Sequence, residues 1–174
     1  MEVVSTPRLR LRRAQPNDLN ALHRVMSDPV AMRYWSTPPH TTLDETRQFL
    51  DHMIAAPATE SDEFLIEYRG EVIGKAGCWR VPEIGFILSS SYWGMGLAYE
   101  ALSAILSRIH ERFAISTITA DVDPRNERCL NLLKRLGFEE IGRAERTWRV
   151  GAEWCDSVYL GHKMTTSGPV SHTG

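Results

Sequence analysis

The chain lacks a long hydrophobic run, any Cys-x-x-Cys pair and an excess of charge of either sign. No uninterrupted apolar stretch approaches the ~20 residues that a membrane helix requires. The start, Met1-Glu2-Val3-Val4-Ser5, has no basic region followed by an apolar run, so neither a membrane span nor a secretory leader is expected. Lys plus Arg number 20 against 22 Asp plus Glu, and the net charge of −2 provides no sequence-wide field to attract nucleic acid or an anionic membrane. Cys78, Cys129 and Cys155 are far apart and odd in number, which predicts reduced thiols and a cytoplasmic setting rather than a disulfide framework. The histidines at positions 23, 40, 52, 110, 162 and 172 show no ligand spacing, so no metal site is expected.

What is present is ordinary globular material. Hydrophobic residues make up 43% of the 174 and charged residues 24%, enough for one core. The sequence predicts a single domain over residues 1–164 and a flexible tail over 165–174. The run Arg8-Leu9-Arg10-Leu11-Arg12-Arg13 alternates apolar and basic residues, which suits a half-buried first strand better than a nucleic-acid patch. Asn17 is a candidate N-cap for a helix through Leu19, Leu22, Val25 and Met26, and Thr42-Leu43-Asp44-Glu45 matches a capping box for a second helix.

From Phe64 the periodicity changes to that of strands. Phe64–Tyr68, Val72–Trp79 and Glu83–Leu88 are separated by tight turns and predict consecutive antiparallel strands. Ala98, Ala101, Leu102, Ile105, Ile109 and Phe113 then repeat at helical spacing. A strand over Ile115–Val122 follows, then a helix from about Asn126 that Gly137 stops, then late strands over Phe138–Arg143, Arg146–Val150 and Trp154–His162.

The most informative segment is Leu88-Ser89-Ser90-Ser91-Tyr92-Trp93-Gly94-Met95-Gly96-Leu97-Ala98, where two closely spaced glycines join a strand to the clearest helix. Glycines let main-chain N–H groups turn toward one point, and a helix N-terminus favours phosphate oxygens. A tight structural turn has the same signature. The dinucleotide-binding fingerprint lacks its third glycine here and follows antiparallel strands, and the P-loop lacks its Lys-Ser/Thr end.

The order of elements and this turn resemble the GNAT superfamily of acetyl-coenzyme A dependent N-acetyltransferases, from Thr6 to about Met164. Ser5-Thr6-Pro7-Arg8-Leu9-Arg10-Leu11-Arg12, Ser27-Asp28-Pro29, Glu83-Ile84-Gly85, Tyr92 to Ala101, Asp123-Pro124-Arg125-Asn126 and Leu136-Gly137-Phe138 are similar to the branch that acetylates the N-termini of ribosomal proteins. The resemblance implies an α/β (α+β) fold, a central mixed and mostly antiparallel twisted sheet of about seven strands flanked by about four helices. It implies acetyl-coenzyme A as cosubstrate and direct attack by an amine in a ternary complex, with the acceptor a protein N-terminal amine or a small-molecule amine. It allows a homodimer.

Residue by residue, the family's Gln/Arg-x-x-Gly-x-Gly/Ala motif falls on Trp93 to Ala98, with Trp93 in place of Gln or Arg. It makes Trp93, Gly94, Met95, Gly96, Leu97, Ala98 and Tyr99 cofactor contacts. Ile87, Leu88 and Ser89 take the place of the strand edge that pairs with the pantetheine arm, and Asn126 that of an Asn contacting the same arm. Asn126 also suits a helix cap. Glu83 is the candidate base, acting through water, or an ordinary carboxylate at a strand end. Cys129 stands where the branch commonly has Ser near the cofactor sulfur, as a proton donor or a buried structural thiol. Tyr34 and Trp35 either clamp the acceptor or pack the first helices, and Trp148 and Trp154 either line the opposite wall or belong to the core. A coenzyme A binding sensor without turnover is the alternative to an enzyme.

Overall fold

The computed structural model describes residues 2–165. Its strands form one sheet from β1 (Val3–Ser5), β2 (Leu9–Arg12), β3 (Asp62–Tyr68), β4 (Glu71–Arg80), β5 (Glu83–Leu88), β6 (Thr117–Val122), β7 (Glu139–Val150) and β8 (Glu153–Lys163). The helices are α1 (Leu19–Met26), α2 (Leu43–Ala55), α3 (Leu97–Phe113) and α4 (Glu127–Arg135). The spatial order is β1-β2-β3-β4-β5-β6-β8-β7, and β5 with β6 is the one parallel pairing among the described strands.

This is the mixed, mostly antiparallel sheet with four helices that the sequence predicts, with eight strands in place of about seven. The additional strand is Val3–Ser5, which pairs Val4 with Leu11 and is too short to carry a periodicity of its own. Phe138–Arg143 and Arg146–Val150 are not separate strands. They fuse into β7, whose register against β8 shifts between Ala144 and Trp148, with Arg146 at φ +52°. A bulge bends the strand without ending it.

Side-chain alternation divides the core into two layers. Phe64 and Ile66 of β3 face one side with Leu102, Ile105 and Ile109 of α3, while Leu65 faces the other with Leu22, Met26 and Leu50 of α1 and α2. The same alternation sends Ile118, Ala120 and Val122 of β6 toward α3. Thr119 and Asp121 consequently face the α1–α2 side. In α3, Leu97, Ala101, Leu102, Ile105 and Ile109 are fully buried. Each of the larger side chains contributes on the order of 1.5–3 kcal/mol, so the turn before α3 is anchored on a rigid element.

The helix starts differ in how well the sequence marks them. Thr42 Oγ1 accepts from Glu45 N, and the Glu45 carboxylate accepts from Thr42 N at 2.8 Å, which is the predicted capping box. Those main-chain donors hold the Glu45 carboxyl down to about 2. Asn17 is not the cap before α1. A 3-10 turn over Pro16–Asp18 comes first, with Gln15 in the capping position. Pro16 favours the first position of a turn, and the Asp18 carboxylate accepts from Gln15 N at 2.8 Å while pairing with Arg12.

The basic run is neutralised within the fold. Arg8 pairs with Glu100, Arg10 and Arg12 with Glu67, Arg12 also with Asp18, and Arg13 with Asp62. Asp62 is fully buried and is also held by Arg108 at 2.7 Å. Burial opposes its charge, but the hydrogen bonds from Arg108 and Arg13 prevail and keep the carboxyl below its ordinary range. Among the described residues no helix is long and apolar enough to cross a membrane. The expected tail lies, from residue 166 onward, outside the described residues.

Candidate active site

The parallel pair β5–β6 is joined only at one end. Glu83 lies opposite Thr119, and Thr119 N donates to Pro82 O at 2.9 Å, after which no further register pair follows. One edge of β5 from Ile84 to Leu88 therefore faces an opening. Ser89 N donates to Ile73 O at 2.8 Å, so Ser89 is bonded toward β4 and not toward the opening. Strand alternation directs Ile87 the same way and turns the main-chain groups of Phe86 and Leu88 to the gap. The Leu88 carbonyl there accepts from Trp93 Nε1 at 2.9 Å. Ile87 and Leu88 line the cavity at the opening, but of the predicted edge residues only Leu88 turns main-chain groups to it, together with Phe86, which the sequence reading missed, and Ser89 does neither.

The turn that follows is fixed from below. Ser90 donates through its N–H and Oγ to Asp28 Oδ2 at 2.9 and 2.6 Å, which ties the turn to the segment after α1. Burial works against the Asp28 charge, but the Ser90 bonds keep its carboxyl below the ordinary value. Gly94 and Gly96 both have φ +75°, a left-handed conformation that side chains rarely adopt, and a Cβ on Gly94 would meet nothing within 4 Å. Glu100 N donates back to Gly96 O at 3.1 Å, so the helical ladder starts there. The amides of Gly94 through Tyr99 have no acceptor among the described residues. They form a set of unspent donors at the positive end of a helix.

A cavity of about 450 Å³ lies against this turn. Trp93, Gly94, Gly96, Leu97, Ala98 and Tyr99 line it, as do Asn126 and Cys129 of the β6–α4 junction. Met95 does not: its side chain is exposed, and its carbonyl accepts from Arg8 at 2.8 Å. Asn126 caps α4 by accepting from Cys129 N at 3.2 Å through Oδ1. Burial pushes the Cys129 thiol up to about 12.

On the other side of the opening lies a second cavity, of about 460 Å³. Glu83 reaches it, with Trp79 Nε1 donating to Glu83 Oε1 at 3.1 Å. Burial raises the Glu83 carboxyl, the nearby Asp121 charge adds to this, and the bond from Trp79 and the charge of Arg80 only partly oppose it. Trp148 lines this cavity and donates to Asp121 Oδ2 at 2.8 Å, whereas Trp154 is exposed and lines neither cavity. Lys75 and Glu63, a buried ion pair, form part of the floor, with the Lys75 ammonium 5.4 Å from the Phe49 ring.

Tyr34 and Trp35 line both cavities. The two rings thus stand at the junction, with Glu83 on one side and Cys129 and the glycine turn on the other. Asp121 escaped the sequence reading although alternation along β6 marks it as facing away from the α3 layer, and Asp123 entered it only as part of the Asp123-Pro124-Arg125-Asn126 motif, without a place in the site.

A family model described as an acetyltransferase (GNAT) domain matches residues 8–139. The chain is 28% identical over 151 residues to the uncharacterized N-acetyltransferase p20 of Bacillus licheniformis, covering 82% of this chain and 85% of that protein. It is 24% identical over 161 residues to the spermidine N(1)-acetyltransferase of Escherichia coli strain K12, covering 87% and 84%. It superposes with a TM-score of 0.83 on the ribosomal L7/L12 alpha-N-protein acetyltransferase RimL in complex with coenzyme A, at 20% identity and covering 94% and 98%. The chain belongs to the GNAT family of acetyltransferases and is an acyltransferase that uses acetyl-coenzyme A.

Proposed function

We propose that this protein transfers acetyl from acetyl-coenzyme A to a primary amine carried on a cationic molecule, by direct attack where the two cavities meet. The observation that carries the reading is the junction itself. A donor-rich cavity and a carboxylate-rich one share Tyr34 and Trp35 at the point where β5 parts from β6.

Each requirement of the chemistry has a group near that junction. The free amides from Gly94 to Tyr99 bind the diphosphate. Asn126 and the Phe86–Leu88 edge hold the arm, which brings the thioester to the opening. A main-chain N–H of that edge polarises the acetyl carbonyl. Glu83 takes a proton from the incoming ammonium through water, and a raised carboxyl makes it a better base near neutrality than an ordinary glutamate. The amine nitrogen then bonds to the carbonyl carbon and the C–S bond breaks. The second nitrogen proton goes to the leaving sulfur, so protons balance without a donor from the enzyme. Burial holds the Cys129 thiol well above the ordinary thiol range, so it orients the departing sulfur by hydrogen bonding and keeps its own proton. The same shift disfavours a Cys129 thiolate and with it an acetyl-cysteine intermediate.

Charge narrows the acceptor. The second cavity presents Glu83, Asp121 and Asp156 against Arg33, while its Glu63 is paired with Lys75 and its Asp123 and Glu153 are bridged by Arg125. Such a surface favours a cation. Two acceptor classes meet the requirement, a polyamine and a protein N-terminus followed by basic residues, and relatives that act on spermidine and on a ribosomal protein support both. No observation favours a sensor without turnover. The test is a screen of polyamines and of peptides with free N-termini, reading release of the coenzyme A thiol. Cationic amines are expected to release thiol faster than neutral or anionic ones. A preference for anionic acceptors, or no release by a protein that binds coenzyme A, would overturn the reading.

A further inference from the structure

Arg128 and Arg135 stand seven residues apart on α4, two helical turns, and so share a face. Asn131 and Leu132 lie between them on the same stripe, and this face lines the cavity at the glycine turn. The two arginines are the only charged residues lining that cavity among the described residues, in contrast to the acidic cavity beyond Tyr34 and Trp35.

Arg12, Arg108 and Arg125 are all ion-paired. Arg128 and Arg135 have no carboxylate partner among the described residues; each instead lies over an aromatic ring. Arg33, Arg69, Arg80 and Arg146 are likewise stacked on rings without an ion pair among the described residues, and what sets Arg128 and Arg135 apart is that they line the cavity at the glycine turn. The Arg128 guanidinium is 4.5 Å from the centre of the Trp93 ring, and that of Arg135 is 4.9 Å from the Tyr99 ring. Trp93 and Tyr99 are the residues on either side of the segment Gly94–Ala98. Stacking fixes the plane of a guanidinium and leaves its N–H edge free to donate. Two planar cations are therefore held beside a row of free main-chain donors, with no carboxylate among the described residues paired to either.

We infer that Arg128 and Arg135 bind phosphate groups of coenzyme A, with Trp93 and Tyr99 serving as the platforms that hold their guanidinium groups in place. The inference rests on the cofactor reading above and extends it. Main-chain amides orient a phosphate as neutral dipoles, and the two arginines supply the balancing charge. Trp93, standing where the resembled motif has Gln or Arg, then borrows its cation from α4 rather than supplying a polar group itself.

The test is titration calorimetry of coenzyme A and of dephospho-coenzyme A, which keeps the diphosphate and lacks the 3′-phosphate, into wild type, Arg128→Ala and Arg135→Ala. Both arginines are exposed, so neither variant should disturb folding. Each substitution is expected to weaken coenzyme A binding about tenfold and to flatten its dependence on salt. An arginine on the diphosphate weakens both ligands alike. One on the 3′-phosphate leaves dephospho-coenzyme A unaffected, and either outcome supports the assignment. Adding Trp93→Arg to Arg128→Ala is expected to restore most of the loss. Unchanged affinity of both alanine variants, with wild type binding normally, overturns the inference alone. Wild type that does not bind coenzyme A overturns the cofactor reading with it.

Discussion

Trp79 Nε1 donates a hydrogen bond to Glu83 Oε1 at 3.1 Å, across the bend that joins β4 to β5. The bond stabilises the ionised carboxylate and so works against the burial that raises it. Trp79→Phe keeps an aromatic ring, though a smaller one, and removes the donor, which lets the Glu83 carboxyl rise further. If Glu83 is the base, the acidic limb of the kcat/KM profile already lies above the ordinary glutamate value and moves to still higher pH in this variant. An unmoved limb would separate Glu83 from the rate.

Glu83→Gln removes the base while keeping size and polarity. Turnover near neutral pH is expected to fall on the order of 100-fold. Coenzyme A affinity should be kept, since Glu83 lines only the cavity remote from the glycine turn. Steady-state rates together with calorimetry check both halves, and undiminished turnover would remove the residue from the mechanism.

Cys129→Ser keeps a short hydrogen-bond donor near the leaving sulfur. Activity within about tenfold of wild type is expected, and mass spectrometry of wild type incubated with acetyl-coenzyme A alone should find no acetyl group on Cys129. An inactive variant together with an acetylated wild-type thiol would favour covalent transfer.

Stability should depend on Asp62. Its folded carboxyl lies below the ordinary value of 3.8, so the contribution is present above that pH and is lost as pH falls through the folded value. Asp62→Ala leaves Arg13 and Arg108 without their buried partner and should cost about 3 kcal/mol, read as a lower midpoint in urea. The difference from wild type should shrink at the most acidic pH. A variant as stable as wild type at pH 7 would contradict this account of the cluster.

The sequence disclosed most where a local rule acts alone. Helical spacing found α3, the Thr42–Glu45 capping box fixed the start of α2, and the two glycines located the turn now seen with φ +75° at both. Asn126 caps α4 as its position predicts. Features set by pairing between distant segments were hidden. Whether Ser89 or Phe86 faces the opening depends on the register of β5 against β4, and one residue reverses it. Val3–Ser5 becomes a strand only because β2 offers an edge. The part that Arg128 plays beside Trp93 needs α4 to fold back over the glycine turn, and nothing in the spacing of the two residues signals it.

The central claim is that main-chain donors from Gly94 to Tyr99 grip the diphosphate of the cosubstrate. Gly96 has a left-handed backbone and space for little more than a methyl group before the Arg8 side chain, which a Cβ would approach to 3.5 Å. An indole at this position would fill the cradle. Calorimetric titration of coenzyme A into wild type and Gly96→Trp tests this most directly. The account predicts binding by the first and none by the second, and equal affinity of the two would contradict it.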